Sequence, residues 1–188
     1  MARTPSAEAH EKVLEAAIHL FGERGIEGTS MDAIAASSGV SKATVYKHWK
    51  DKDALCIDVF RTLRAAPPEF QTGHPRQDLL SLLTHFAHAG KPGRLLKILP
   101  AIIAYAAANP KFGQAFRKSS FGPTETQMLR ILNDAVAAGE LAAATDMELA
   151  VSLLFGPILH RKFMGGKVPP ALPEQVIDSF WRGASAHR

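Results

Sequence analysis

The sequence predicts an all-α protein of about nine or ten helices. Three observations carry that expectation. No stretch shows the valine-, isoleucine- and aromatic-rich alternation of strands set between turns. Apolar residues instead recur at intervals of three and four, and alanine clusters such as Ala143-Ala144 favour helix. No internal repeat breaks the chain into modules.

With 188 residues, 46% hydrophobic and 21% charged, the composition is that of a globular chain able to bury a substantial core. A lone cysteine, Cys56, excludes a disulfide framework within one chain. The N-terminal segment lacks the apolar centre of a signal peptide, and no apolar run approaches the roughly 20 residues needed to span a bilayer. A cytoplasmic protein with no membrane partner is expected. The formal charge of +4 is not spread evenly. Residues 1–55 hold seven basic against eight acidic side chains, while basic residues gather between Lys42 and Lys52. A local cluster is what a contact face requires.

Taken in order, Thr4 can cap a first helix that has Pro5 in its first position, where a missing N–H costs nothing. Val13, Leu14, Ala17, Ile18, Leu20 and Phe21 give it one apolar face, and Gly25 and Gly28 end it. Thr29, followed three residues on by Asp32, has the capping-box spacing for a second helix with Met31, Ile34 and Ala35 inside. Gly39 supplies the left-handed turn. Ser41 caps a third helix, which Val45 and Trp49 hold to the other two. Asp51 caps a fourth, from Lys52 to about Leu63, with Leu55, Val59, Phe60 and Leu63 as its buried stripe. Lys52 opposes the macrodipole in that first turn, so an outside phosphate is the expected reason for it.

Residues 66–75 form a proline- and glycine-containing connector. Helices are expected over about 76–89 and 94–108, and over 110–138 with a break at Gly122-Pro123. Thr145 with Glu148 reads as a capping box opening a helix to about Met164, and the last helix runs from Pro173 to about Gly183.

Two short helices joined by a glycine turn make a helix-turn-helix, whose second helix fits the major groove of double-stranded DNA. Lys42, Ala43 and Lys47 stand where base edges would be met, lysine toward guanine acceptors and the alanine methyl toward a thymine methyl. Thr29, Ser30, Ser41, Thr44, Tyr46, His48 and Lys52 suit phosphate oxygens or the rim of the contact. A solvated amphipathic helix would explain each lysine singly. Tyr46 argues against that, being a large phenol on the exposed side with no core to fill.

Residues from about Ala9 to Phe60, through I-H-L-F-G-E-R-G-I-E-G-T-S-M-D-A-I-A-A-S-S-G-V-S-K-A-T-V-Y-K-H-W-K-D-K-D-A-L, resemble the DNA-binding domain of the TetR-type (tetracycline-repressor-like) transcriptional regulators. The resemblance implies phosphate contacts for Thr44, Tyr46 and Lys52 and base contacts for Lys42, Ala43 and Lys47. Ala43 stands where glycine is common in the family, and Trp49 where phenylalanine is common. The runs G-E-L-A-A-A-T-D and G-P-I-L-H-R-K-F resemble one regulatory-domain branch. The chain then divides into a three-helix DNA-binding domain, 1–51, and a helical ligand-binding and dimerisation domain, 52–188.

The family resemblance also implies a homodimer joined by its last two helices in a four-helix bundle. The residues agree, since Val151, Leu154, Phe155, Ile158 and Leu159 belong to an apolar set covering more than one face, and Ile177, Phe180 and Trp181 continue it. An ordinary core is the competing reading of the same stripe. Gly156-Pro157 inside the helix is a local conflict, or a place for two backbones to approach closely. Phe86, Ile102, Tyr105, Phe116, Phe121 and Met128 are candidates for lining a small apolar or amphipathic ligand, with His85, His88 and Gln127 as polar groups beside Tyr105. His85 and His88 lack a third ligand nearby, so neither a metal nor any other cofactor is expected.

The expected function is a ligand-released, DNA-binding repressor of a palindromic operator. A helical carrier or adaptor without DNA binding is the alternative. An enzyme is not expected, because no nucleophile elbow, phosphate loop, zinc cluster or convergent carboxylate pair is present.

Overall fold

The computed structural model describes residues 5–88, 92–164 and 167–185. Among these residues there are ten helices: α1 (Pro5–Arg24), α2 (Met31–Ser38), α3 (Lys42–His48), α4 (Lys52–Leu63), α5 (Pro75–His88), α6 (Pro92–Ala108), α7 (Pro110–Ser120), α8 (Gly122–Ala137), α9 (Met147–Phe163) and α10 (Leu172–Ala184). Strands are absent among the described residues, apart from a lone antiparallel bridge between Leu141 and Ser185. Pro5 opens α1 as expected, while the Thr4 cap lies outside the described residues. None of the described helices is long and apolar enough to cross a membrane.

The described residues form two compact units. The first holds 5–64 and 92–120, and the second holds 65–88, 121–164 and 167–185. The first unit is larger than the expected 1–51 domain because α4 packs on α1, α6 and α7. Leu55, Cys56 and Val59 on α4 are fully buried, so this helix belongs to the same core as Phe21 and Ile34. Each large apolar side chain so enclosed stabilises the fold by about 1.5–3 kcal/mol. Phe60 and Phe116 meet edge to face at 4.8 Å and close the core on the α7 side.

In the second unit α5 packs on α8, α9 and α10, and α8 packs on α9. Its core joins Leu79, Leu82 and Leu83 of α5 to Met128 and Leu132 of α8, and to Leu154, Ile158 and Ile177 of α9 and α10. Lys162 is buried here, its ammonium donating to the Phe86 carbonyl at 2.7 Å. That lysine supplies a donor to a carbonyl in the last turn of α5, where no helical N–H is available. The connector is held by Asp78, which accepts from the Thr72 N–H and from its hydroxyl at 2.7 Å.

Two expected caps shift by one residue. Ser30, not Thr29, caps α2 by accepting from the Ala33 N–H at 3.1 Å. Asp146, not Thr145, caps α9 by accepting from the Leu149 N–H at 3.0 Å. α9 stays helical through Gly156-Pro157.

Candidate nucleic-acid interface

The turn between α2 and α3 is built from small residues. Gly39 adopts φ 68° and ψ 13°, the left-handed region, and its N–H bonds the Ala36 carbonyl. The Ser38 hydroxyl donates to the Ala35 carbonyl at 3.0 Å and accepts from the Val40 N–H at 3.3 Å. Ser41 then caps α3, its Oγ accepting from the Thr44 N–H at 3.2 Å and lying 2.8 Å from Thr44 Oγ1. Both hydroxyls are thereby engaged at the N-terminus of α3.

Inward, α3 has only Val45 buried, and Trp49 beyond its last residue is buried too. The Trp49 indole N–H donates to Asp58 Oδ2 on α4 at 3.0 Å, and His10 Nε2 lies 3.2 Å from the same oxygen. The His10 ring rests on Trp49 at 4.6 Å, and His48 stands 5.5 Å from the same indole. Asp58 and His10 thus orient α3. The signal for Asp58 is chemical, since a buried indole N–H needs an acceptor and α4 carries two carboxylates, Asp53 and Asp58.

Outward, Lys42, Ala43, Tyr46, Lys47 and His48 are exposed and Thr44 is half-buried. The expected base-facing set and the Tyr46 phenol therefore share one open face. Lys42 Nζ lies 2.7 Å from Asp32 Oδ2 on α2, and that hydrogen bond, with the charge of Asp32, raises the lysine pKa above its ordinary value. Asp32, expected only as part of a capping box, is thus also the partner of Lys42.

Two of the ten residues expected at the contact turn inward onto backbone carbonyls. The Thr29 side chain is buried, its hydroxyl donating to the Gly25 carbonyl at 2.7 Å and to the Leu20 carbonyl at 3.3 Å, so it offers nothing to a phosphate. Lys52 is half-buried. Its ammonium donates to the Thr29 carbonyl at 2.9 Å and the Glu27 carbonyl at 3.3 Å, an internal reason for a cation in that first turn.

The candidates for ligand binding fall into two groups. Ile102, Tyr105 and Phe116 belong to the first unit, and Phe86, Phe121 and Met128 to the second. Ile102 and Phe116 are core residues, and Phe86 and Met128 are core residues of the other unit. The Tyr105 hydroxyl donates to Asp53 at 3.0 Å. Gln127 donates to the Pro68 carbonyl at 3.1 Å, its buried Oε1 has no hydrogen-bond partner among the described residues, and His85 Nε2 lies 3.1 Å from the Ala65 carbonyl. Among the described residues no group of three or more metal-ligating side chains assembles.

Most of the residues expected at a pairing face lie inside the protomer. Leu154, Ile158 and Ile177 are fully buried within the protomer, and Phe155 and Phe180 nearly so. They fill the core against α5 and α8, because a helix apolar on several faces must give its best-packed face to its own chain. Val151, Leu159 and Trp181 are partly buried beside that core. The apolar residues left outside on α9 are Leu149, Leu153 and Phe163, with Met164 just past its end. A groove of about 360 Å³ runs between α9 and α10, lined by Leu153, Pro157, Leu172, Gln175, Val176, Ser179 and Phe180.

A capped, tightly turned helix-turn-helix with an open polar face on its second helix, in an all-helical chain, defines a DNA-binding regulator. The chain belongs to the TetR family of bacterial transcriptional regulators. Residues 13–59 match the model described as bacterial regulatory proteins, tetR family, and residues 70–180 match the tetracyclin repressor-like C-terminal domain. The HTH-type transcriptional regulator YdeS of Bacillus subtilis is 31% identical over 92% of this chain and 84% of its own length. The DNA-binding transcriptional repressor TetR of Mycobacteroides abscessus is 26% identical over 88% of each chain. Among solved structures, the flavonoid-responsive regulator FrrA superposes with a TM-score of 0.69 at 25% identity, over 97% of this chain and 100% of its own. This protein is accordingly a DNA-binding transcriptional regulator.

Proposed function

We propose that the protein is a cytoplasmic, homodimeric repressor that binds a palindromic operator and leaves it when a small apolar or amphipathic molecule binds, acting by binding alone and without a catalytic step. The observation that carries the DNA half is the division of α3: Val45 inside, and Lys42, Ala43, Tyr46, Lys47 and His48 outside. Ala43 and the two lysines read base edges, while Ser30, Thr44, Tyr46 and His48 hold the backbone. In this reading residues 1–51 carry the DNA contacts, and 52–188 carry ligand binding and pairing.

Pairing brings two recognition helices to successive major grooves about 34 Å apart. The exposed leucines of α9 and the groove beside them supply an apolar surface for it. A ligand that favours another spacing of the two helices lowers operator affinity by the difference in its own affinity for the two states. The flavonoid-responsive relative supports ligand control, and the repressor relative supports its direction.

Selection of duplexes from a random pool with the full chain tests the proposal. A palindrome with half-sites about one helical turn apart is the expected product, and released by an added small molecule it completes the reading. A pool that stays random removes it.

A further inference from the structure

Lys52, Asp53 and Tyr105 form a cluster within the first unit that neither DNA contact nor core packing accounts for. The two charged residues open α4, and Tyr105 lies near the C-terminal end of α6. The Tyr105 hydroxyl donates to Asp53 Oδ1 at 3.0 Å, and the Lys52 ammonium sits 5.6 Å from the centre of the same phenol ring. The other side of that ammonium bonds the carbonyls of Glu27 and Thr29, the last residues before Ser30 caps α2. One side chain of α6 thus touches two successive residues of α4, and one of those holds the chain where the helix-turn-helix begins.

Burial, followed by the Asp53 hydrogen bond and charge, pushes the Tyr105 phenol up to about 12, so it remains a donor throughout the neutral range. Phe112 meets the ring edge to face at 4.9 Å and fixes its plane. Inside α6, Pro100 has no N–H to give the Leu96 carbonyl, so the half carrying Tyr105 is less firmly tied to the half before it.

We infer that Tyr105 is a positioning residue for DNA binding: through Asp53 and Lys52 it sets the start of α2, and hence the presentation of α3, relative to α6. Lys52 in this arrangement acts on the protein rather than on a phosphate. The inference rests on the DNA-binding reading and adds to it a control point. An effector that draws Tyr105 away from Asp53 would loosen this link to α6, while Val13, Phe21, Ile34 and Val45, which hold the three helices together, are buried apart from it.

The test uses the full-length protein, the selected operator duplex and a scrambled duplex, titrated over a series of salt concentrations, with thermal melting as a check on folding. Tyr105→Phe keeps the ring and loses the hydrogen bond. Operator affinity should fall at least about fivefold, at the lower end of measured couplings between sites, with scrambled-duplex affinity within about twofold of wild type, since backbone contacts dominate there.

Asp53→Ala should reproduce that loss, Asp53→Asn, which still accepts, should restore it, and the Tyr105→Phe/Asp53→Ala double variant should be no worse than either single. The Asp53 series enters from α4, so the inference remains testable if Tyr105→Phe melts early. Lys52→Gln should weaken operator binding without changing the slope of log affinity against log salt. A slope smaller by about 0.9 would place Lys52 on a phosphate and overturn the inward assignment. Operator affinity within twofold of wild type for folded Tyr105→Phe overturns the inference itself. A wild-type protein that enriches no duplex defeats the DNA reading beneath it, and is seen before any substitution is made.

Discussion

Helices α3 and α9 each leave a set of side chains exposed, but the chain fixes those outer faces in opposite ways. α3 is seven residues long, capped by Ser41, and anchored through Val45 and the following Trp49. With so few inward residues, geometry puts the remainder outside, and the exposed face follows from the anchors alone. α9 is seventeen residues long and apolar around much of its circumference. Which of its leucines meets solvent is decided by α5, α8 and α10, elements distant in sequence. A short helix therefore declares its outer face locally, and a long apolar one does so only after its neighbours are placed.

The sharpest break of that comparison is made at adjacent residues of α9. Leu154 is fully enclosed, so Leu154→Ala should destabilise the protomer by about 2–5 kcal/mol in a urea titration. Leu153 is half exposed in the α9–α10 groove. Leu153→Glu should leave the protomer folded and weaken self-association at least about tenfold, as for a charge set into the centre of an apolar interface. Light scattering across a dilution series reads the difference. If Leu153→Glu unfolds the protein as Leu154→Ala does, the two faces are not distinct. If it remains a dimer at the same concentrations, pairing uses another surface.

The same contrast explains what could be read from the residues. Gly39, Ser41 and Asp51 are local devices, each acting within three residues of itself, and each does what its chemistry predicts. The two displaced caps share one cause. Thr29 and Thr145 each send their hydroxyl back to a preceding carbonyl, of Gly25 and of Ala142, leaving the cap to the next polar residue. Propensity treats threonine, serine and aspartate as near equals at that position, whereas a threonine in the preceding turn has a second acceptor within reach.

Lys52 was legible as a cation out of place in a first turn, but not its partners, because two of them are backbone carbonyls 23 and 25 residues away. The break at Gly122 between α7 and α8 was plain, since no helix continues easily into that pair of residues. The outer face of α9 was the least legible. Leu153 and Leu154 are chemically identical, and only the positions of α5, α8 and α10 separate them.

The smallest expected effect tests the outer face of α3 itself. Lys42 is exposed, yet in the free protein its ammonium is held 2.7 Å from Asp32, a carboxylate on the neighbouring helix that is also exposed. To reach a base edge the lysine must leave that partner, and the carboxylate then lies close to the phosphates. Asp32→Asn removes the competitor and one repelling charge while keeping the side chain's shape. Because both groups are solvated, the pair contributes little to folding, so the change should appear in DNA affinity and not in the melting temperature.

Affinity for the selected operator should rise by about two- to tenfold at low salt, with the gain shrinking as added ions screen the exposed charges. Anisotropy titrations at two salt concentrations measure both. A fall in affinity would mean that Asp32 aims Lys42 at its target, making the ion pair part of the recognition face. An unchanged affinity would move Lys42 off the DNA.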